Sequence, residues 1–311
     1  MPTKLKQMGV SIYFWIGFHV FVLFMLALDL GVFHKKAHKV PVKEAVIWTL
    51  VWITLATLFC GFIFFEFGKT RALEFLTGYV IEYSLSVDNI FVFILIFSYF
   101  AVKDQYQHEV LFWGILGALI MRGMFIFAGV AMINRFHWIV IIFGGFLVFT
   151  GIRMLFNKEG EVDPEKNIIV RFFRKFLPVS RTMHGEKMFI RENNKLYATP
   201  LFLVLLVIES SDLIFAVDSI PAVLAISHNT FIVYTSNIFA ILGLRSLYFA
   251  IAGVIGYFRF LKVGLSFVLT FVGAKMLMSF FQIEIPILLS LGVIVFILLS
   301  SILVSVAIKK R

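Results

Sequence analysis

Nine stretches of mostly apolar residues fill this sequence almost end to end: 10–33, 45–66, 73–100, 110–134, 137–156, 200–226, 231–256, 261–281 and 286–308. Each is close to the length of about 20 residues that a helix needs to cross the hydrocarbon core of a bilayer. Lipid satisfies no backbone hydrogen bond, so separate runs of this length fold as helices. The chain is 61% hydrophobic with a mean hydropathy of +0.98, whereas water-soluble domains are about 45–50% apolar. The fold class is therefore an all-α integral membrane bundle of about nine transmembrane helices. The first stretch follows Lys4 and Lys6, but it is too long for a signal-peptide core and lacks a small-residue cleavage pattern, so it reads as a span. Cys60 is the only cysteine, which excludes an intrachain disulfide and a thiolate metal cluster.

The net charge of +10 sits mainly in the short segments between spans. There it reads as an orientation signal and as contact with lipid headgroups, not as a nucleic-acid surface. Lys4, Lys6, Lys69, Arg71 and Arg135 fall on one side of the bilayer. The other side carries Lys35, Lys36, Lys39, Lys43, Lys103, Arg259, Lys262, the tail Lys309-Lys310-Arg311 and all the basic residues from Arg153 to Lys195. The richer side is expected to be cytoplasmic, which places the N-terminus outside and the C-terminus inside. The segment 157–199 is the one long hydrophilic connection. Within it, 168–176 has the pattern of a short amphipathic helix, with Phe172, Phe173 and Phe176 opposite Arg171, Arg174 and Lys175. The stretch 188–197 has the pattern of a hairpin turning at Asn193-Asn194.

The apolar region repeats itself. Glu82-Tyr-Ser-Leu-Ser-Val-Asp88-Asn-Ile aligns with Asp212-Leu-Ile-Phe-Ala-Val-Asp218-Ser-Ile, and Arg122 aligns with Arg245. Phe149-Thr-Gly-Ile-Arg-Met-Leu155 aligns with Phe271-Val-Gly-Ala-Lys-Met-Leu277. Three matches in the same order define two three-helix units. An odd-numbered unit repeated in tandem enters the membrane upside down the second time, the plan of many secondary transporters. The expected layout is two N-terminal helices in 1–72, repeat 1 in 73–156, the cytoplasmic loop 157–199, repeat 2 in 200–281, and a last helix in 282–311.

Five carboxylates stand well inside the spans, away from their ends: Glu82, Asp88, Glu209, Asp212 and Asp218. A charge at a helix centre costs roughly 2.5–3.5 kcal/mol on insertion scales. Arg122 and Arg245 can balance two of the five, and the surplus negative charge suits a cation. With Asn89, Ser219 and the hydroxyls of Ser84, Ser86, Ser210 and Ser211 the donor set is all oxygen, which favours Mg2+, Ca2+ or Mn2+ over zinc or copper. Glu209 and Asp212 share a helix face. Asp218 would point elsewhere on an unbroken helix, and Pro221 just beyond it predicts a bent or opened helix near Asp218. His19 is read as structural, Asp29 as an interface residue or exit-path ligand, and Lys275 and Arg153 as snorkelling to the cytoplasmic interface. Glycines 114, 117, 144, 145, 243, 253 and 273 are expected to permit close helix packing.

At the acidic motifs the sequence resembles the TerC family, and within it the Alx-like branch. The resemblance runs through Phe75-Leu-Thr-Gly-Tyr-Val-Ile-Glu-Tyr-Ser-Leu-Ser-Val-Asp-Asn-Ile-Phe91 and Leu196-Tyr-Ala-Thr-Pro200. It continues through Glu209-Ser-Ser-Asp-Leu-Ile-Phe-Ala-Val-Asp-Ser-Ile-Pro221 and Ser236-Asn-Ile-Phe-Ala-Ile-Leu-Gly-Leu-Arg245. It implies a bacterial inner-membrane protein linked to manganese efflux and alkaline pH, in a family named for tellurium resistance. It also implies that Glu82, Asp88, Glu209, Asp212 and Asp218 serve the ion. The expected function is secondary export of Mn2+ with proton antiport, Mn2+ being cargo and not a resident cofactor. Asn89 and Ser219 would add neutral ligands, and Arg122 and Arg245 would balance charge. The rivals are a transporter of another cation such as Ca2+, and a non-transporting scaffold. An intramembrane aspartyl protease needs a Gly-x-Gly-Asp motif, which the sequence lacks, so no enzyme activity is expected.

Overall fold

The apolar runs form helices in a computed structural model that describes residues 11–31, 40–136, 138–156, 173, 178–180, 184–192, 195–252 and 260–307. Helix α1 (Ile12–Gly31) belongs to a unit of its own, Met1–Lys39. In it His19 is exposed and bonds the Trp15 carbonyl at 2.8 Å. The side chain of Asp29 lies outside the described residues. The second unit, Val40–Arg311, holds α2 (Val42–Phe67), α3 (Lys69–Tyr99), α4 (Asp104–Arg135), α5 (Ile139–Phe156), α6 (Pro200–Leu224), α7 (Thr230–Leu242), α8 (Leu244–Ala252), α9 (Leu261–Phe280) and α10 (Ile287–Ala307). With α7 and α8 counted as the single span Thr230–Ala252, eight helices among the described residues are long and apolar enough to cross a membrane. The shorter apolar helix Ile12–Ala27 accompanies them.

Local chemistry sets the boundaries. Gly68 adopts φ 86° between α2 and α3, where a side chain would be strained, and its N–H bonds the Phe64 carbonyl at 3.1 Å. The Asn229 side chain accepts from the N–H groups of Phe231 and Ile232, a cap worth about 1 kcal/mol at the start of α7. At about 1.5 Å per residue, α3 and α4 are each well over 40 Å long and exceed the hydrocarbon thickness, so they tilt or project. The crowded region 110–156 resolves into two helices, α4 and α5.

α3 and α7–α8 lie innermost, whereas α2 and α10 are the most exposed. The principal packing pairs are α5–α9, α4–α6, α3–α7 and α3–α6, with α2 against α3 and α8, and α10 against α9 and α3. Exposed side chains such as Leu58, Ile120, Phe296 and Leu303 form the surface that meets acyl chains. Two short strands, β1 (Phe189–Glu192) and β2 (Lys195–Ala198), pair antiparallel with Arg191 opposite Leu196, as the hairpin pattern requires. The turn Asn193-Asn194 lies outside the described residues, as does the amphipathic stretch 168–176 apart from Phe173. That ring stands 6.1 Å from the ring of Phe202.

Glycines allow the closest approach, between α5 and α9. A Cβ at Gly273 would stand 2.8 Å from the Gly144 carbonyl oxygen, and one at Gly151 would stand 2.7 Å from the Ser266 carbonyl oxygen. Gly145 differs from the expectation: it faces open space. Gly253 lies outside the described residues. Gly273→Ala is therefore expected to destabilise the protein by about 1–3 kcal/mol through overpacking against backbone, while Gly145→Ala melts with the wild type. Thermal melts of the two variants in detergent check this contrast.

Candidate functional site in the bundle core

α6 runs unbroken from Pro200 to Leu224, with Pro221 inside it, contrary to the expected opening near Asp218. Pro221 sits in the last turn, so the helix loses only the bond from that residue's missing N–H before it ends anyway. The spacing of the repeated motif then takes on a different meaning. Residues seven apart lie two turns apart on one face, whereas residues six apart point in different directions. Glu82 shares a face with Asn89, and Asp212 shares one with Ser219. Asp88 and Asp218 are directed elsewhere, so one motif serves two places.

The first place is centred on Arg122 of α4, which is fully buried at 0% exposure. It forms an ion pair with Glu82 of α3. It also grips Asp212 of α6 with two parallel bonds, Nη2 to Oδ1 at 2.9 Å and Nε to Oδ2 at 3.1 Å. This is the strong bidentate form of the arginine–carboxylate bond. Ser219 Oγ lies 3.5 Å from Nη1, and Asn89 Nδ2 donates to Asp212 Oδ1 at 3.4 Å. One guanidinium thus ties α3, α4 and α6 together. Glu82 Oε2 accepts no hydrogen bond among the described residues. Arg245 of α8 is buried and lines a void of about 10 Å3 together with Asp212, room for about one water.

The second place is a cavity of about 360 Å3 that both Asp88 and Asp218 line. Both are half-buried. Asn89 and Ser219 reach this cavity as well as the arginine cluster, and Thr150, Arg153 and Lys262 complete its polar wall. Thr150 Oγ1 donates to Asp218 Oδ1 at 3.5 Å. The cavity therefore offers two carboxylates, an amide and two hydroxyls, with two cations at its wall. Hard oxygen donors of this kind suit a divalent ion that keeps part of its water shell.

Glu209 belongs to neither place. Its carboxylate rests against Gly117 of α4, where a Cβ would stand 2.1 Å from Oε1, and its Oε2 has no partner among the described residues. Among those residues no three His, Cys, Asp or Glu side chains are grouped to hold a metal. The five acids thus divide into a pair on Arg122, a pair on the cavity and a single glutamate. Ser84 and Ser211 donate to carbonyls one turn back in their own helices, and Ser210 bonds the Val207 carbonyl. Ser86 is buried with no partner among the described residues.

Sequence reasoning missed Thr150 and Lys262 as cavity residues. Nothing in one sequence says which helices adjoin. Arg153 was visible in the repeated Gly-x-basic-Met-Leu motif; it is exposed and lines the cavity. Its counterpart Lys275 does not snorkel to an interface: it is only 8% exposed.

Comparison with known proteins gives the lineage. The model of the integral membrane protein TerC family matches residues 67–311. A Myxococcus xanthus protein, "Uncharacterized membrane protein STKORF319", is 51% identical over 297 residues, covering 96% of this chain and 92% of that protein. A protein of Escherichia coli (strain K12), "Putative membrane-bound redox modulator Alx", is 46% identical over 306 residues, covering 96% and 95%. A Rickettsia bellii membrane protein is 40% identical over 292 residues, covering 94% and 96%. No solved structure matches the chain. A multi-pass bundle with this match over most of its length and bacterial relatives spanning nearly all of it belongs to the TerC family of integral membrane proteins.

Proposed function

We propose that this protein is a secondary transporter that exports a divalent metal ion, Mn2+, from the bacterial cytoplasm across the inner membrane. The observation that carries the proposal is the cavity walled by Asp88 and Asp218, one from each copy of the repeated motif. These two are the central ligands, with Asn89 and Ser219 as neutral oxygen donors. Glu82 and Asp212 are held by Arg122 in this conformation. They join the ion's path when the guanidinium leaves, so Arg122 balances their charge while the ion is absent. Arg245 serves the same end beside Asp212, and Glu209 adds a further carboxylate on the α4–α6 seam. The choice of Mn2+ among hard cations comes from the family resemblance, and Ca2+ is the alternative cargo.

The packing supports an inverted pair. Exchanging α3 with α6, α4 with α7–α8 and α5 with α9 maps α3–α6 and α5–α9 onto themselves. The same exchange maps α4–α6 onto α3–α7, and α5–α6 onto α3–α9. Such a pair can present one central site alternately to the two sides. The loop charges support an external N-terminus and a cytoplasmic C-terminus. The redox role in the name of the Escherichia coli relative has no dithiol to rest on here, since Cys60 is the only cysteine.

Elemental analysis tests the proposal in cells of a manganese-sensitive host expressing wild type, Asp88→Asn or Asp218→Asn at matched membrane levels. Wild type lowers cellular Mn and both variants leave it at the empty-vector level. Equal Mn in all the strains would favour the scaffold reading. The sequence carries no ATP-binding motif, so a gradient must drive transport, and buried carboxylates that exchange metal for protons make proton antiport the expected coupling. Mn2+ uptake into inverted vesicles rises when their lumen is made acidic. Indifference to the imposed pH gradient would remove proton coupling.

A further inference from the structure

The two basic residues of the repeated Gly-x-basic-Met-Leu motif stand in opposite environments. Arg153 is exposed at the cavity wall, and Lys275 is buried. α5 and α9 run antiparallel, because Gly144 meets Leu277 while Gly151 meets Ser266 and Thr270. Arg153 therefore lies with Lys262 at the end where α5 finishes and α9 begins. Lys275 lies towards the other end, where α3 begins and α6 finishes. At that end Glu74 of α3 accepts from Ser227 Oγ at 2.5 Å and from Arg71 Nη1 at 2.7 Å, both on Oε2. Ser227 follows α6, so this carboxylate ties the start of repeat 1 to the helix that opens repeat 2.

One end thus holds a cavity of about 360 Å3 with its basic residue at the wall. The other end holds the equivalent basic residue buried, with the Glu74–Ser227 bond across it. In an inverted pair, opening the second end means that each unit takes up the conformation the other has now. We propose that Glu74 is the latch of the closed end. It releases Ser227 when that end opens, and Lys275 then takes the place at a cavity wall that Arg153 holds now. The proposal rests on the transporter reading above and adds a gating residue that lies outside the acidic motifs.

The test uses a Cys60→Ser background, which removes the only native thiol. Glu74→Cys and Ser227→Cys are added and bridged with a short bis-methanethiosulfonate cross-linker. In proteoliposomes the bridged protein is expected to lose Mn2+ flux about tenfold or more, and to regain it when dithiothreitol cleaves the bridge. Bridged protein that transports at the unbridged rate would overturn the latch. A second arm needs no transport. In the same background Lys275→Cys should react several-fold faster with a membrane-impermeant maleimide when Glu74→Gln is added. An unchanged labelling rate overturns the latch even if wild type moves no Mn2+, an outcome that would instead remove the transporter reading.

Discussion

Arg122→Met is expected to destabilise the protein by about 3–5 kcal/mol, the cost of breaking a buried ion pair from one side. The substitution keeps most of the side-chain volume and removes the guanidinium from a site with no solvent exposure. Glu82, also at 0% exposure, and Asp212, at 3%, are left charged in the core without the guanidinium that pairs them. Three helices lose their common tie at once. At about 2–4 °C per kcal/mol, the melting temperature falls by roughly 6–20 °C. The control is the triple variant Arg122→Met, Glu82→Gln, Asp212→Asn, which removes the stranded charges and should recover at least half of the loss. Melting of the purified proteins in detergent reads both values. An Arg122→Met protein that melts with the wild type would mean that the guanidinium is not the tie between these helices.

Asp88→Asn and Asp218→Asn are expected to do the reverse: to spare the fold and remove transport. Both carboxylates are half-buried at the cavity and neither is gripped by Arg122. Replacing a charged group by a neutral one of the same shape relieves part of the cost of holding charge in a membrane. The variants should therefore reach wild-type levels and melt within about 1 kcal/mol of it, the size of one hydrogen bond such as the one Thr150 donates to Asp218. For the ion, each loses one of the two carboxylates that line the cavity among the described residues. Loss of a supporting group beyond the ligands already costs about 10–100-fold in metal affinity, so loss of a ligand should cost at least the upper figure. Ion affinity measured by competition in detergent, set beside the melts, separates the two roles. A variant that binds Mn2+ as the wild type does would take Asp88 or Asp218 out of the site.

The contrast between these predictions marks what could be read from the residues alone. The spans were legible because lipid demands long apolar helices, and Lys69–Tyr99 or Pro200–Leu224 differs from its apolar run by only a few residues at either end. The residues of the site were legible because charge inside a span is costly and so stands out. Their grouping was not. Glu82 and Asp88, or Asp212 and Asp218, read as one ligand set until an unbroken α6 separates the faces six and seven residues along. Pro221 suggested a break, but a proline in the last turn costs the helix too little to open it. Thr150 and Lys262 carry no signal of their own, because their role depends on α5 and α9 lying against α3 and α6. Lys275 looked like a snorkelling lysine because the sequence does not say which helices bury it.

The central claim is that the purified protein itself moves Mn2+ through the Asp88–Asp218 cavity. The most direct measurement is Mn2+ flux into proteoliposomes under an imposed proton gradient, for wild type and for the Asp88→Asn/Asp218→Asn double variant, with Ca2+ as competitor. The account predicts flux well above protein-free liposomes for wild type, none for the double variant, and weak inhibition by Ca2+. Flux no higher than in protein-free liposomes from correctly folded wild type, or equal flux from the double variant, would contradict it.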